Sequence, residues 1–93
     1  MNQLELRVQL GNQIAISVGR KKINSIVISD RNVSGVHCNF YKKSDGWHVA
    51  DLNSTNGTYV NGNKVDSPVQ LHVGDVVTIV DISIVFEIGR AHV

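Results

Sequence analysis

Three short polar stretches carry more functional side chains than a plain connection needs: Gly19-Arg20-Lys21-Lys22, Val33-Ser34-Gly35-Val36-His37 and Asn53-Ser54-Thr55-Asn56-Gly57-Thr58. A hydroxyl three residues ahead of an imidazole raises nucleophilic catalysis first, with His37 as the base for Ser34. That spacing runs across a loop-to-strand junction and does not by itself set a base against a nucleophile. No acidic residue is identifiable as the orienter. No catalytic residue is therefore assigned, and an enzyme is not expected. Arg20 taken alone reads as a solvated surface charge, and Asn56-Gly57 taken alone as a hairpin turn. Their company in one short chain, with Ser34, Ser54, Thr55 and Thr58, turns both toward a shared binding site.

The elements that must position these residues belong to a chain of 93 residues, which fits one domain. Its 42% hydrophobic and 18% charged content supplies enough apolar surface for a core. Nine basic and eight acidic residues leave a net charge of +1, which excludes the wide basic field of a general polyanion binder. Aromatic residues, at 5%, are too few for a stacking platform, so no nucleic-acid partner is expected. No stretch approaches the roughly 20 apolar residues of a membrane span, and Met1 to Leu10 has neither a basic leader nor a continuous apolar run. The expectation is a cytoplasmic chain with no membrane partner. Cys38 is the single cysteine and lies in no Cys/His cluster of metal-ligand spacing, so neither a metal nor another cofactor is expected. It reads as a small buried hydrophobe on a strand.

Period-two alternation dominates, the mark of strands with one buried face. Leu4, Leu6, Val8 and Leu10 alternate with polar residues, and Ile14, Ile16 and Val18 resume the pattern after a turn at Gly11-Asn12. The two runs read as a hairpin. Further strands are expected at Ile26 to Ile28, His37 to Tyr41, Trp47 to Asp51, Thr58 to Val60, Lys64 to Val65, Val69 to Leu71, Val76 to Val80 and Ser83 to Ile88. Turn formers separate them: Asp45-Gly46, the type I′ signal Asn61-Gly62, and Gly74-Asp75. His48 and His72 read as exposed or half-exposed. About nine to eleven short strands predict an all-β fold, a β-sandwich of two antiparallel sheets with its chemistry on edge loops.

The three polar stretches, with Asp30, Asp51-Leu52, Val60-Asn61-Gly62 and Gly74-Asp75, resemble in order, spacing and residue type the signature of forkhead-associated (FHA) domains from Gly19 to about Phe86. The resemblance implies an FHA-like β-sandwich that binds phosphothreonine-containing proteins or peptides. It assigns Arg20 and Ser34 to the phosphate. A phosphate carries a charge of about −1.5 to −2 near neutral pH and several acceptor oxygens. A guanidinium fork and a hydroxyl beside backbone N–H groups suit it. The resemblance assigns Thr55 and Asn56 to the peptide, where an amide both donates and accepts. It makes His37 a structural brace for the loops, with Gly19 and Gly57 supporting the site through backbone geometry.

One position departs from the pattern. Many family members carry Arg, Lys or Asn after the serine, whereas Gly35 offers no side chain, so Lys21 or Arg31 stands as an auxiliary phosphate contact. The alternative function is a phosphate-independent interaction or oligomerisation domain that uses a sheet face of the same scaffold. Residues 1–88 are expected to form the domain. Residues 87–93 read as a sequencing-adapter read-through or the start of a linker; in the first case the natural sequence leaves off near residue 86 and the domain is part of a longer multidomain protein.

Overall fold

The computed structural model describes residues 2–9 and 14–89, with side chains from 14 to 88. The turn at Gly11-Asn12 and residues 90–93 lie outside the described residues. Ten strands run through the described chain: β1 (Asn2–Gln9), β2 (Ala15–Gly19), β3 (Ile26–Val27), β4 (Cys38–Lys43), β5 (Gly46–Asp51), β6 (Thr58–Val60), β7 (Asn63–Lys64), β8 (Val69–Gln70), β9 (Val76–Ile79) and β10 (Ile82–Gly89). They form two five-stranded sheets, ordered β1-β10-β9-β6-β7 and β3-β2-β4-β5-β8. No helix long and apolar enough to cross a membrane occurs among the described residues.

Alternation decides which side chains meet between the sheets. Ile16 and Val18 of β2, Cys38 and Phe40 of β4, and Trp47 and Val49 of β5 point inward from one sheet. Val60, Val77, Ile79, Ile82, Ile84 and Phe86 answer from the other. Trp47 and Phe86 meet across the gap with ring centroids 6.3 Å apart. Each such large side chain, fully buried, stabilises the fold by roughly 1.5–3 kcal/mol. Cys38 belongs to this core, and burial pushes its thiol up to about 12, against the opposing pull of a hydrogen bond with Thr58.

The expected hairpin between the first two strands does not form. β1 pairs in parallel with β10, from Asn2 opposite Ile82 to Gln9 opposite Gly89, whereas β2 lies in the other sheet against β4. Alternation specifies which face of a strand is buried, not which strand is its neighbour. The sheets are consequently not purely antiparallel: β1–β10 and β2–β3 are parallel pairs. His48 also differs from expectation. It is buried, stacked at 5.6 Å on Tyr41, its partner in register across β4 and β5.

Candidate functional site

β2 ends, β3 ends, β4 begins and β5 ends at one mouth of the sandwich, so the loops at 20–25, 28–37 and 52–57 converge there. Backbone bonds lash the first two together. Arg20 N–H donates to the Ser34 carbonyl and Lys21 N–H to that of Gly35, each at 3.0 Å. The approach is possible because residue 19 has no side chain: a Cβ there would stand 2.3 Å from the Gly35 carbonyl oxygen. At Gly19 the demand is for room between two main chains. At Gly57 it is for a left-handed backbone, with φ of +85°.

His37 connects the second and third loops from within the protein. It is fully buried. Its Nδ1 accepts the Ser34 backbone N–H at 3.1 Å, which puts the ring proton on Nε2, and Nε2–H donates to the Gly57 carbonyl at 2.8 Å. Neither ring nitrogen is bonded to the Ser34 hydroxyl, so the pair lacks the geometry of a nucleophile and its base.

The third loop takes its shape from Asp51. Period two keeps Asp51 on the inward face of β5 with Trp47 and Val49, at the very end of the strand. Its carboxylate accepts the Ser54 N–H at 3.1 Å, the Ser54 hydroxyl, and the Thr58 hydroxyl at 2.7 Å. The Thr58 bond also ties the two sheets at this mouth. Burial raises the Asp51 pKa, but the bonds from Ser54 and Thr58 outweigh it and hold the carboxyl below its ordinary value. Ser54 Oγ in turn accepts the Gly57 N–H at 2.9 Å.

A pocket of about 270 Å³ opens where the loops meet, lined by Arg20, Arg31, Asn32, Val33, Ser34, Gly35, Thr55 and Asn56. Arg20 Nε donates to the Val33 carbonyl at 3.0 Å, which fixes the plane of the guanidinium. Ser34 Oγ accepts the Thr55 N–H at 2.9 Å, and its own proton is available to an acceptor. Asn56 Nδ2 donates to the Asn32 carbonyl at 2.8 Å. Two guanidiniums and a hydroxyl line this space with no carboxylate among them, which makes it a receiver for an anion.

Of the sequence-derived residues, Arg20, Arg31, Ser34, Gly35, Thr55 and Asn56 thus share one pocket, with Gly19, His37 and Gly57 behind it. Lys21 stands apart from the lining. Its methylene stem lies over Gly35, where a Cβ would meet Lys21 Cε at 3.0 Å. Sequence reasoning missed Asn24, a buried amide whose Nδ2 donates to the carbonyls of Lys21 and Gly35, both at 2.7 Å. An isolated asparagine in a polar loop gives no signal of that role. The Asp51–Ser54 bonding was readable in principle, since aspartate commonly caps the turn that follows it.

Comparison with known proteins agrees with this construction. A family model described as the FHA domain matches residues 16–80. The Mycobacterium tuberculosis ABC transporter ATP-binding/permease protein Rv1747 is 43% identical over 75 residues, covering 81% of this chain and 9% of the transporter. The glycogen accumulation regulator GarA of the same species is 40% identical over 78 residues, covering 84% of this chain and 48% of the regulator. The chain therefore spans less than half the length of either relative. Among solved structures, M. tuberculosis EmbR in complex with a low-affinity phosphopeptide superposes with a TM-score of 0.79 at 32% identity, covering 85% of this chain and 21% of that one. The matched span takes in all three loops of the pocket and nearly all of the β3-β2-β4-β5-β8 sheet, with β6, β7 and β9 of the other, and the chain belongs to the FHA domain family.

Proposed function

We propose that this chain binds phosphothreonine-containing segments of partner proteins, catalyses no reaction, and serves as the cytoplasmic recognition module of a longer protein. The observation that carries the reading is the pocket: two guanidiniums and a free hydroxyl proton face one space without a competing carboxylate. Arg20 and Ser34 take the phosphate. With its Nε held by Val33, Arg20 keeps its terminal nitrogens for two phosphate oxygens. Arg31 supplies the second cation on the pocket wall, and Lys21, outside the lining, acts only at longer range. Thr55 and Asn56 face the peptide main chain. Burial of the extra methyl group of phosphothreonine gives at most about 0.8 kcal/mol over phosphoserine by transfer alone. The phosphopeptide bound to EmbR supports this reading over one based on a sheet face.

Calorimetric titration with a phosphothreonine peptide library tests it. Arg20→Ala should cost about 2–4 kcal/mol of binding, and Ser34→Ala about 1–2 kcal/mol. Parent-like affinity in Arg20→Ala, or equal affinity for unphosphorylated peptides, defeats the proposal.

A further inference from the structure

Asn56 is followed by glycine, whose main-chain nitrogen no side chain shields from the preceding amide, and it sits exposed on the third loop. We propose that Asn56 is a site of spontaneous deamidation, restrained by the Ser54 hydroxyl, whose product closes the anion pocket. The Gly57 nitrogen gives its proton to solvent base and attacks Asn56 Cγ. The Cγ–Nδ2 bond breaks, and the amide leaves as ammonia with a proton from water. Water then opens the five-membered imide at either carbonyl, giving aspartate or isoaspartate. The sum is one water consumed and one ammonia released, with no oxidant or cofactor.

Two contacts hold the reacting groups apart from this course. The Gly57 N–H is engaged by Ser54 Oγ at 2.9 Å, and Ser54 is itself anchored on Asp51. The Asn56 amide is held by its Nδ2 on the Asn32 carbonyl, on a residue that is otherwise exposed. The other Asn-Gly pair provides an internal reference. Asn61 is held at both ends of its amide, Nδ2 on Asp75 and Oδ1 on the Val76 N–H, and it lies outside the pocket. Conversion at Asn56 sets a carboxylate beside Arg20 and Arg31, where it competes with an incoming phosphate for the same cations. The isoaspartate form also lengthens the main chain by one methylene, between the Thr55 N–H that bonds Ser34 and the Gly57 carbonyl that bonds His37. The effect on binding rests on the phosphopeptide reading above; the conversion does not.

The folded chain is held in mildly alkaline buffer and mapped by peptide mass spectrometry. Asn56 should gain one dalton before Asn61 does. Ser54→Ala, which frees the Gly57 N–H, should speed conversion at Asn56 about tenfold and leave Asn61 unchanged. Should that variant fail to fold, the parent in concentrated urea replaces it, again with Asn56 faster by about tenfold or more. Asn61 converting first, or an Asn56 rate indifferent to Ser54 and to urea, overturns the assignment. Asn56→Asp should lower phosphothreonine-peptide affinity by at least about tenfold. Parent-like affinity there refutes the closing of the pocket. A parent chain that binds no phosphopeptide refutes the functional reading and leaves the mass measurement standing.

Discussion

Replacing Gly19 by alanine adds one methyl group at the point where the site is most tightly built. The new Cβ would sit 2.3 Å from the Gly35 carbonyl oxygen, 2.9 Å from its carbon and 2.8 Å from Asn24 Nδ2. The carbonyl is main chain and cannot rotate away as a side chain would. Moving it stretches the Lys21 N–H bond and the Asn24 bond that it accepts, and shifts the neighbouring Arg20 to Ser34 bond. Overpacking of this kind costs about 1–3 kcal/mol. Losing one of the bonds adds about 1 kcal/mol, for a total of about 2–4 kcal/mol. Gly74→Ala is the matched control: it makes the same chemical change where nothing lies within 4 Å, at a φ of +95°. Its cost is the left-handed backbone alone, about 1–2 kcal/mol. Trp47 is buried and is the single tryptophan, so its fluorescence follows urea unfolding. With a slope near 1 kcal/mol per molar urea, the Gly19 variant should lose about 2–4 M of midpoint. Phosphopeptide binding should weaken in Gly19→Ala and persist in Gly74→Ala. A Gly19 variant no less stable than the Gly74 variant refutes the interlock.

Two further outcomes follow from the same mouth of the sandwich. The Asp51 carboxyl lies below its ordinary value in the folded chain, so its contribution to stability is complete above the unfolded carboxylate pKa, near ~4, and is lost as pH falls through the folded value. Thermal melts from neutral to acid pH should therefore fall more steeply below about pH 4 for the parent than for Asp51→Asn, and parallel curves refute the assignment. His37→Phe leaves the Ser34 N–H and the Gly57 carbonyl without their ring partner at roughly 1–3 kcal/mol each. The melting temperature should drop by at least about 8 °C, and a drop of a degree or two denies the brace.

Much of the fold was legible because period-two alternation and turn residues act locally. Thr58 to Val60 matched its strand residue for residue, and Asn61 and Gly62 both take the positive φ that their pairing requires, 49° and 85°. The neighbour of β1 was not legible, because alternation carries no information about partners and the parallel β1–β10 pair joins opposite ends of the sequence. Val80, at a φ of 59°, is a conformation that no sequence rule assigns to a β-branched residue. Within the site, the pocket residues stood out through their company, order and spacing along the chain, since each taken alone is an ordinary loop residue. Asn24 and the Lys21 stem over Gly35 did not, since both roles depend on a tertiary approach that only the Gly19 interlock creates.

The parallel seating of β1 also governs how the domain can be tethered. Thr58, Ile79, Ile82 and Asn2 lie in one row across four strands, so the start of β1 stands about 15 Å from the end of the third loop. β10 then runs eight residues, about 25 Å, toward the opposite pole. A fusion or surface anchor joined ahead of Asn2 shares the recognition pole and crowds it, whereas one joined after Gly89 holds that pole outward. An immobilised sensor built on this chain should therefore be attached at its carboxyl side.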